Sequence, residues 1–348
     1  MIIPYKKADI TFSEIREMKE QGCFSRVYLA YDENLAHELI IKEIKKEKEK
    51  SRDEFFSEAR LLYKYAHPNI VQVQYAAEDN DNIYIAMPFY HNGTINQLLE
   101  KKNLTPRELI RYGIQFIGGL HHIHTQKLMH FDIKPNNIML SNRNEAMLSD
   151  FGLAKLVNNS LKAIPDLAYT FHIPPEYFTS AKEGFNYTYD IYQTGLTLYR
   201  MAVGCVRFKK EQDVFKTNDQ LKDSIISGEF PQKKYPSHIP KKLRNIIDKC
   251  LELEPNNRYQ AALDILNDLS AIQEIDGALD WREVENDKDN IYEWHKDTKD
   301  AKLQLTYNID NKKSICYRID SAGTKRKYSK ACNDNCTESK LYSILKEC

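Results

Sequence analysis

The 348-residue chain lacks an excess of either charge, since 50 Lys and Arg side chains meet 50 Asp and Glu. That balance removes the electrostatic case for DNA, RNA or an anionic membrane as main partner. The chain also lacks any apolar run near the roughly 20 residues that cross a bilayer. Met1-Ile2-Ile3-Pro4-Tyr5 lacks the basic-then-apolar order of a secretion signal. A soluble, intracellular and cytoplasmic protein without membrane insertion is the expectation. Tryptophan is nearly missing: Trp281 and Trp294 are the only two. Paired zinc knuckles are missing as well. Cys23, Cys205 and Cys250 stand singly, as reduced thiols do, and Cys316, Cys332, Cys336 and Cys348 follow at spacings of sixteen, four and twelve. Those spacings favour free thiols over a metal site.

What is present is concentrated in His130-Phe131-Asp132-Ile133-Lys134-Pro135-Asn136-Asn137 and, after it, Asp150-Phe151-Gly152. A phosphoryl group in transfer spreads charge over its peripheral oxygens, so a catalyst must position and neutralise it. At this spacing Asp132 suits orienting a hydroxyl and taking its proton, and Lys134 suits reaching the phosphate. Asn137 and Asp150 offer hard oxygen ligands to Mg²⁺. Upstream, Leu39-Ile40-Ile41-Lys42 and Asn82 to Met87 read as strands, and Asp53 to Leu62, which includes Glu58, as a helix. Arg107 to Gln126 reads as a long helix whose Leu109, Ile110, Phe116, Ile117 and Leu120 face a core. The histidines at 121, 122 and 124 lie on it with no cysteine or carboxylate at ligand spacing, and read as structural. Lys45 to Lys50, interleaved with glutamates, reads as a solvated loop.

In order and spacing these segments, with Pro174-Pro175-Glu176, Asp190 and Arg258 downstream, resemble the eukaryotic-type protein kinase family, serine/threonine-directed, from about residue 12 to about 270. The resemblance implies an α+β, bilobal kinase-like fold: a small antiparallel β lobe with one helix over about 12–90, and a helical lobe over about 91–272. It implies MgATP in the cleft between them and protein substrates. Lys42 would hold the α- and β-phosphates and pair with Glu58, Gly22 would cover the phosphates, and Val27 and Met139 would form the roof and floor of the adenine slot. Met87 would be the gatekeeper, with Tyr90 in the hinge. Asp132 and Lys134 would carry the chemistry, with Mg²⁺ on Asn137 and Asp150. Asp190 would anchor the catalytic loop backbone, and Glu176 would pair with Arg258.

Three features depart from the family pattern. Gly22 alone survives of the glycine-rich loop, with Glu20 and Ser25 at the other two glycine positions. Ile40 replaces the usual alanine of the adenine roof. Phe131 stands where regulated members carry the arginine that grips a phosphorylated activation loop, so independence from such phosphorylation is expected. Two alternatives remain: a catalytically weak or silent scaffold, against which Lys42, Asp132 and Asp150 are all retained, and a small-molecule phosphotransferase, against which Lys134, Asp-Phe-Gly and Pro-Pro-Glu argue.

The remainder, 273–348, resembles no known module. The polar stretch from Asp276 to Asp300 carries both tryptophans, which suggests docking on the large lobe. Lys302 to Ile309 and Ser314 to Ile319 alternate apolar and polar residues as a β-hairpin. A strand over Lys325 to Ser329 and a helix over Ser339 to Lys346 follow. A β-rich extension recruiting substrates or partners is the expectation, and the oligomeric state is open.

Overall fold

A computed structural model of the protein describes residues 10–18, 25–46, 56–165, 170–179, 183–272, 277–285 and 290–348. The first sheet contains β1 (Phe12–Glu17), β2 (Ser25–Asp32), β3 (His37–Lys45), β4 (Tyr75–Glu78) and β5 (Asn82–Pro88), antiparallel in the order β1-β2-β3-β5-β4. Residues directly opposite in an antiparallel pair share a face. The pairs Val27↔Lys42, Lys42↔Ile85 and Ile40↔Met87 therefore line one side of the sheet. On the other side Tyr28, Ala30, Leu39, Ile41 and Ala86 close a small core. α1 (Ser57–Lys64) packs Ala59 with Ile83 and Ile85.

Past Pro88 the chain enters the helical lobe. α2 (Ile95–Lys101) and α3 (Pro106–Thr125) both start on capping boxes, Thr94 with Gln97 and Thr105 with Glu108. Each box satisfies two backbone donors that the first turn leaves orphaned. Four short strands carry the loops between: β6 (Leu128–Met129) pairs with β9 (Lys155–Leu156), and β7 (Ile138–Leu140) with β8 (Ala146–Leu148). After the short α4 (Glu176–Thr179) comes α5 (Thr188–Gln212), buried at nearly every position to Val203, as suits a helix at the centre of a lobe. α6 (Asn218–Ser227), α7 (Lys241–Cys250) and α8 (Ala262–Ser270) surround it. A Cβ on Gly195 would lie 2.5 Å from the Cys250 Cβ, so glycine lets α5 and α7 approach this closely.

The C-terminal sheet is a meander of β10 (Arg282–Val284), β11 (Ile291–Asp297), β12 (Ala301–Asn308), β13 (Lys313–Asp320) and β14 (Lys325–Lys327), closed by α9 (Glu338–Glu347). Trp281, Trp294, Leu305, Cys316, Leu341 and Leu345 fill its core. The hairpin, the third strand and the helix agree with the pattern in the sequence, whereas β10 and β11 occupy a stretch that reads only as polar. Their polar groups are met by the large lobe. Arg207 of α5 grips Glu283 with two bonds of 2.5 and 2.6 Å, Arg107 of α3 reaches Asp280 at 2.6 Å, and the Trp294 indole donates to His238 Nδ1 at 3.1 Å. Trp294 thus docks on the large lobe as expected; Trp281 donates within its own module, to the Leu345 carbonyl at 2.8 Å. The six described cysteines are free thiols, and no three His, Cys, Asp or Glu side chains among the described residues converge to hold a metal.

His238 gives this docking a pH dependence. Burial first, then the charges of Arg207 and Arg244, push its pKa down to about 3, and accepting the indole hydrogen bond requires a neutral ring. Unfolding lets the imidazole return to an ordinary pKa of about 6.5, so the unfolded chain binds more protons between those values and stability falls as pH falls. By pH 5 this one residue should cost about 2 kcal/mol. In His238→Asn, which keeps an acceptor for Trp294, the loss of unfolding free energy between pH 7 and 5 should be smaller by that amount. Identical losses in chemical denaturation at the two pH values would disprove it.

Candidate active site

The cleft face of the first sheet carries Val27, Ile40, Lys42 and Met87, and Lys42 Nζ reaches across to Asp150 Oδ1 at 3.2 Å. Tyr90 lies just past β5, half-buried, with its carbonyl accepting from the Gly93 amide at 3.0 Å. Met139 sits in β7, half-buried opposite Met147. Gly22 and Glu20 lie outside the described residues. The backbone of Glu58 belongs to α1, and its side chain lies outside what is described.

The loop after β6 is held by α5. Asp190, fully buried, accepts from the His130 amide at 2.9 Å, the Phe131 amide at 2.8 Å and His124 Nε2 at 2.8 Å. His124 is thus structural, as its sequence context suggests. Phe131 adopts φ 65°, a left-handed conformation rare for a bulky side chain, and is held there by Asp190 Oδ1 on its own amide and Oδ2 on that of His130. Three and seven residues along the same helix, Gln193 accepts from the Ile133 amide at 3.1 Å and donates to the Phe131 carbonyl at 3.0 Å, while Thr197 donates to the Ile133 carbonyl at 3.3 Å. Sequence reasoning missed Gln193 and Thr197. Their signal was available: polar residues on the Asp190 face of an otherwise apolar helix.

Fixed in this way, Asp132, Lys134 and Asn137 converge. Asp132 Oδ2 accepts from Lys134 Nζ at 2.9 Å and from Asn137 Nδ2 at 2.7 Å, and the same Nδ2 donates to the Asp132 carbonyl at 2.9 Å. Asp132 Oδ1 is buried without a hydrogen-bond partner. Buried carboxylate oxygens are rarely left so, because the cost is that of an uncompensated polar group; this one is an acceptor awaiting a donor. Spending the Asn137 nitrogen on Asp132 leaves the amide oxygen free. That oxygen and the Asp150 carboxylate are hard donors of the kind Mg²⁺ takes. Desolvation opposes ionisation of Asp150, but the adjacent Lys42 outweighs it and holds the carboxyl below its usual range, so it is anionic at neutral pH. Phe151 is buried against His130, ring centres 4.8 Å apart, and belongs to the same core as Leu62 of α1.

The described part of the segment from Asp150 to Glu176 is tied down by apolar contacts, a backbone pairing and ion pairs that include Arg258–Glu176. Phe131, fully buried, meets Tyr189 edge-on at 5.1 Å and Phe185 at 6.5 Å, in a cluster with Leu153, Val157, Ala163 and Tyr177. Ala163 and Phe185 exchange backbone hydrogen bonds of 2.9 and 2.8 Å. Arg258 clamps Glu176 through two bonds of 2.7 and 2.8 Å, the pairing anticipated from sequence.

Residues 18–268 match the protein kinase domain family model. The chain is 29% identical over 267 residues to a probable serine/threonine-protein kinase of Clostridium perfringens, covering 75% of this chain and 38% of that protein. It is 27% identical over 262 residues to the serine/threonine-protein kinase PrkC of Bacillus subtilis, covering 73% and 39%. A serine/threonine-protein kinase of Mus musculus is 34% identical over 245 residues, covering 68% and 37%. The chain therefore spans about two fifths of the length of these curated relatives.

Replacing Asp190 by Asn should be severe. The amide offers one acceptor oxygen to three donors and places an NH₂ against them, so a loss of about 3–5 kcal/mol in unfolding free energy is expected. A melting temperature within 2 °C of wild type would contradict the anchoring role; about 1 kcal/mol corresponds to roughly 2–4 °C at this size.

Proposed function

The chain belongs to the eukaryotic-type protein kinase family, and from that membership we propose that it transfers the γ-phosphate of MgATP to serine or threonine hydroxyls of proteins. The observation that carries the reading is the divided carboxylate of Asp132, one oxygen tied to Lys134 and Asn137 and the other buried without a partner. A substrate hydroxyl donating to that free oxygen is oriented for attack and gives up its proton to it as the new ester bond forms. Lys134, held beside it, places a cation where the transferred group's charge spreads. Lys42, with Val27 and Met87 on the same face, positions the nucleotide; Gly22, Glu58, Tyr90 and Met139 complete that site by family correspondence. Asn137 and Asp150 would hold Mg²⁺, which when bound supplies neutralising charge. The Glu176–Arg258 clamp supports a polypeptide platform over a small-molecule acceptor.

On this reading residues 12–272 are the catalytic unit and 273–348 an extension that recruits substrates or partners, acting in the cytoplasm. Among the described residues no helix is long and apolar enough to cross a membrane. Activity independent of activation-loop phosphorylation is the reading that Phe131 supports: in place of the usual phosphate–arginine link stands the cluster with Phe185 and Tyr189, neutral rings whose packing calls for no phosphate.

Phosphate incorporation from labelled ATP into a generic protein acceptor should drop by about 10²–10⁴ in Asp132→Asn, with phosphoserine or phosphothreonine found by mass spectrometry. Equal incorporation by the two proteins would reject the assignment. Phosphatase-treated protein should keep its rate within about twofold, the scatter expected if no arginine–phosphate contact is lost; near-complete inactivation would show that the aromatic cluster does not substitute for a phosphate.

A further inference from the structure

One turn beyond Thr197, α5 presents Arg200 to a cavity of about 600 Å³. Its walls come from Asn96 and Glu100 of α2, from Phe171 in the segment leading to Pro174-Pro175-Glu176, and from Phe208 and Phe215. Arg200 is mostly buried here, yet it has no carboxylate partner among the described residues. Its one hydrogen bond runs from a terminal nitrogen to Asn96 Oδ1 at 2.7 Å, and its guanidinium lies 4.8 Å over the Phe208 ring. Glu100, whose charge acts on Arg200, accepts its hydrogen bond from Asn96 Nδ2 at 2.8 Å instead. Arg258, Arg207 and Arg107 all hold carboxylates. A guanidinium has five donors in a planar fork, so most of the Arg200 fork is unspent at the wall of an open cavity. Desolvation lowers its pKa to about 10, which leaves it cationic at neutral pH. Lys209 and Lys216 at the rim add positive charge against Asp213.

The cavity adjoins the candidate active site. Thr197 touches the Ile133 carbonyl, next in chain to Asp132, and three further residues of helix advance about 4.5 Å along its axis. His172, whose carbonyl is held by Gln193, feels the charges of both Arg200 and Lys134. We infer that Arg200 is a specificity-determining residue that receives an anionic side chain, carboxylate or phosphate, of the polypeptide substrate, close in sequence to the phosphorylated hydroxyl. The inference rests on the proposed protein phosphotransfer. Bidentate pairing of a guanidinium with either anion is favoured by geometry and by the dry aromatic wall.

The test uses the full chain and peptides with one serine in a neutral background, carrying Glu, phosphoserine, Lys or Ala at each of five positions on either side. The wild type should prefer an anion at one position by about tenfold or more in kcat/KM, chiefly through KM; a charged hydrogen bond of this kind supports that factor. The anion-to-alanine ratio should fall to about one in Arg200→Gln, and lysine should become the favoured residue in Arg200→Glu. Because each ratio is taken within one variant, partial loss of folded protein cancels. If neither Arg200 variant folds, the exposed pair Lys209→Glu with Lys216→Glu must reduce the ratio at least threefold. Glutamate and phosphoserine arms of similar size mean a general anion site, and phosphoserine alone means previously phosphorylated substrates. Transfer without anion preference, or a preference unchanged by these substitutions, overturns the inference. Transfer to no peptide overturns the phosphotransfer reading instead. The cavity is then judged by anisotropy of labelled glutamate and alanine peptides, where equal binding refutes the Arg200 assignment.

Discussion

Much of the helical lobe's chemistry depends on one buried carboxylate. Asp190 has no access to water, and a carboxylate in that position is tolerable only when its lone pairs are met. The donors that meet them are the amides of His130 and Phe131 and the ring of His124. Satisfying the charge therefore shapes the backbone immediately before Asp132, including the positive φ of Phe131. Gln193 and Thr197 extend the same grip to Ile133. A helix buried on nearly all sides cannot shift without disturbing the core, so the geometry around Asp132 inherits the rigidity of α5.

The segment that follows is stabilised by two kinds of contact with different physics. Arg258 and Glu176 form a bidentate ion pair whose arginine side chain is fully buried, and breaking either side would strand a charge. Phe131, Phe185 and Tyr189 meet as neutral rings, edge to face or tilted, which needs no charged modification to assemble. The backbone pairing of Ala163 with Phe185 aligns the apolar side with the catalytic loop. Charge holds the Glu176 end of the segment, and apolar packing holds its middle.

The C-terminal sheet meets the lobe through directional polar contacts. Glu283 is nearly buried and is matched by both Arg207 nitrogens; Asp280 is matched by Arg107. Such pairs add little net stability after desolvation, but a displaced arrangement would leave Glu283 uncompensated. The Trp294–His238 bond adds a requirement for a neutral imidazole. At Gly204, where α5 kinks with φ 82°, an added Cβ would fall 2.1 Å from Asn103 Oδ1, and the same Asn103 donates to the Glu283 carbonyl at 3.2 Å. The kink, the asparagine and the edge of β10 therefore share one tight junction.

Local pattern in the chain was enough to determine the elements that satisfy themselves over short distances. The strand ending near Lys42, the helix after Thr105, the hairpin joining β12 and β13, and the mutual spacing of Asp132, Lys134, Asn137 and Asp150 were all legible, because alternation, capping and motif spacing are properties of neighbouring residues. Tertiary structure alone decided what depends on partners far along the chain. β10 looks polar until Arg207 meets Glu283, and β11 until His238 meets Trp294. Phe131 reads as a missing arginine until Phe185 and Tyr189 enclose it. Arg200 resembles any helix arginine until the fold places it at a cavity where, among the described residues, no carboxylate is bonded to it. The physical reason is the same in each case: the cost of burying a polar group, and the gain from burying an apolar one, are set by what surrounds it, and those surroundings exist only once distant segments have packed together.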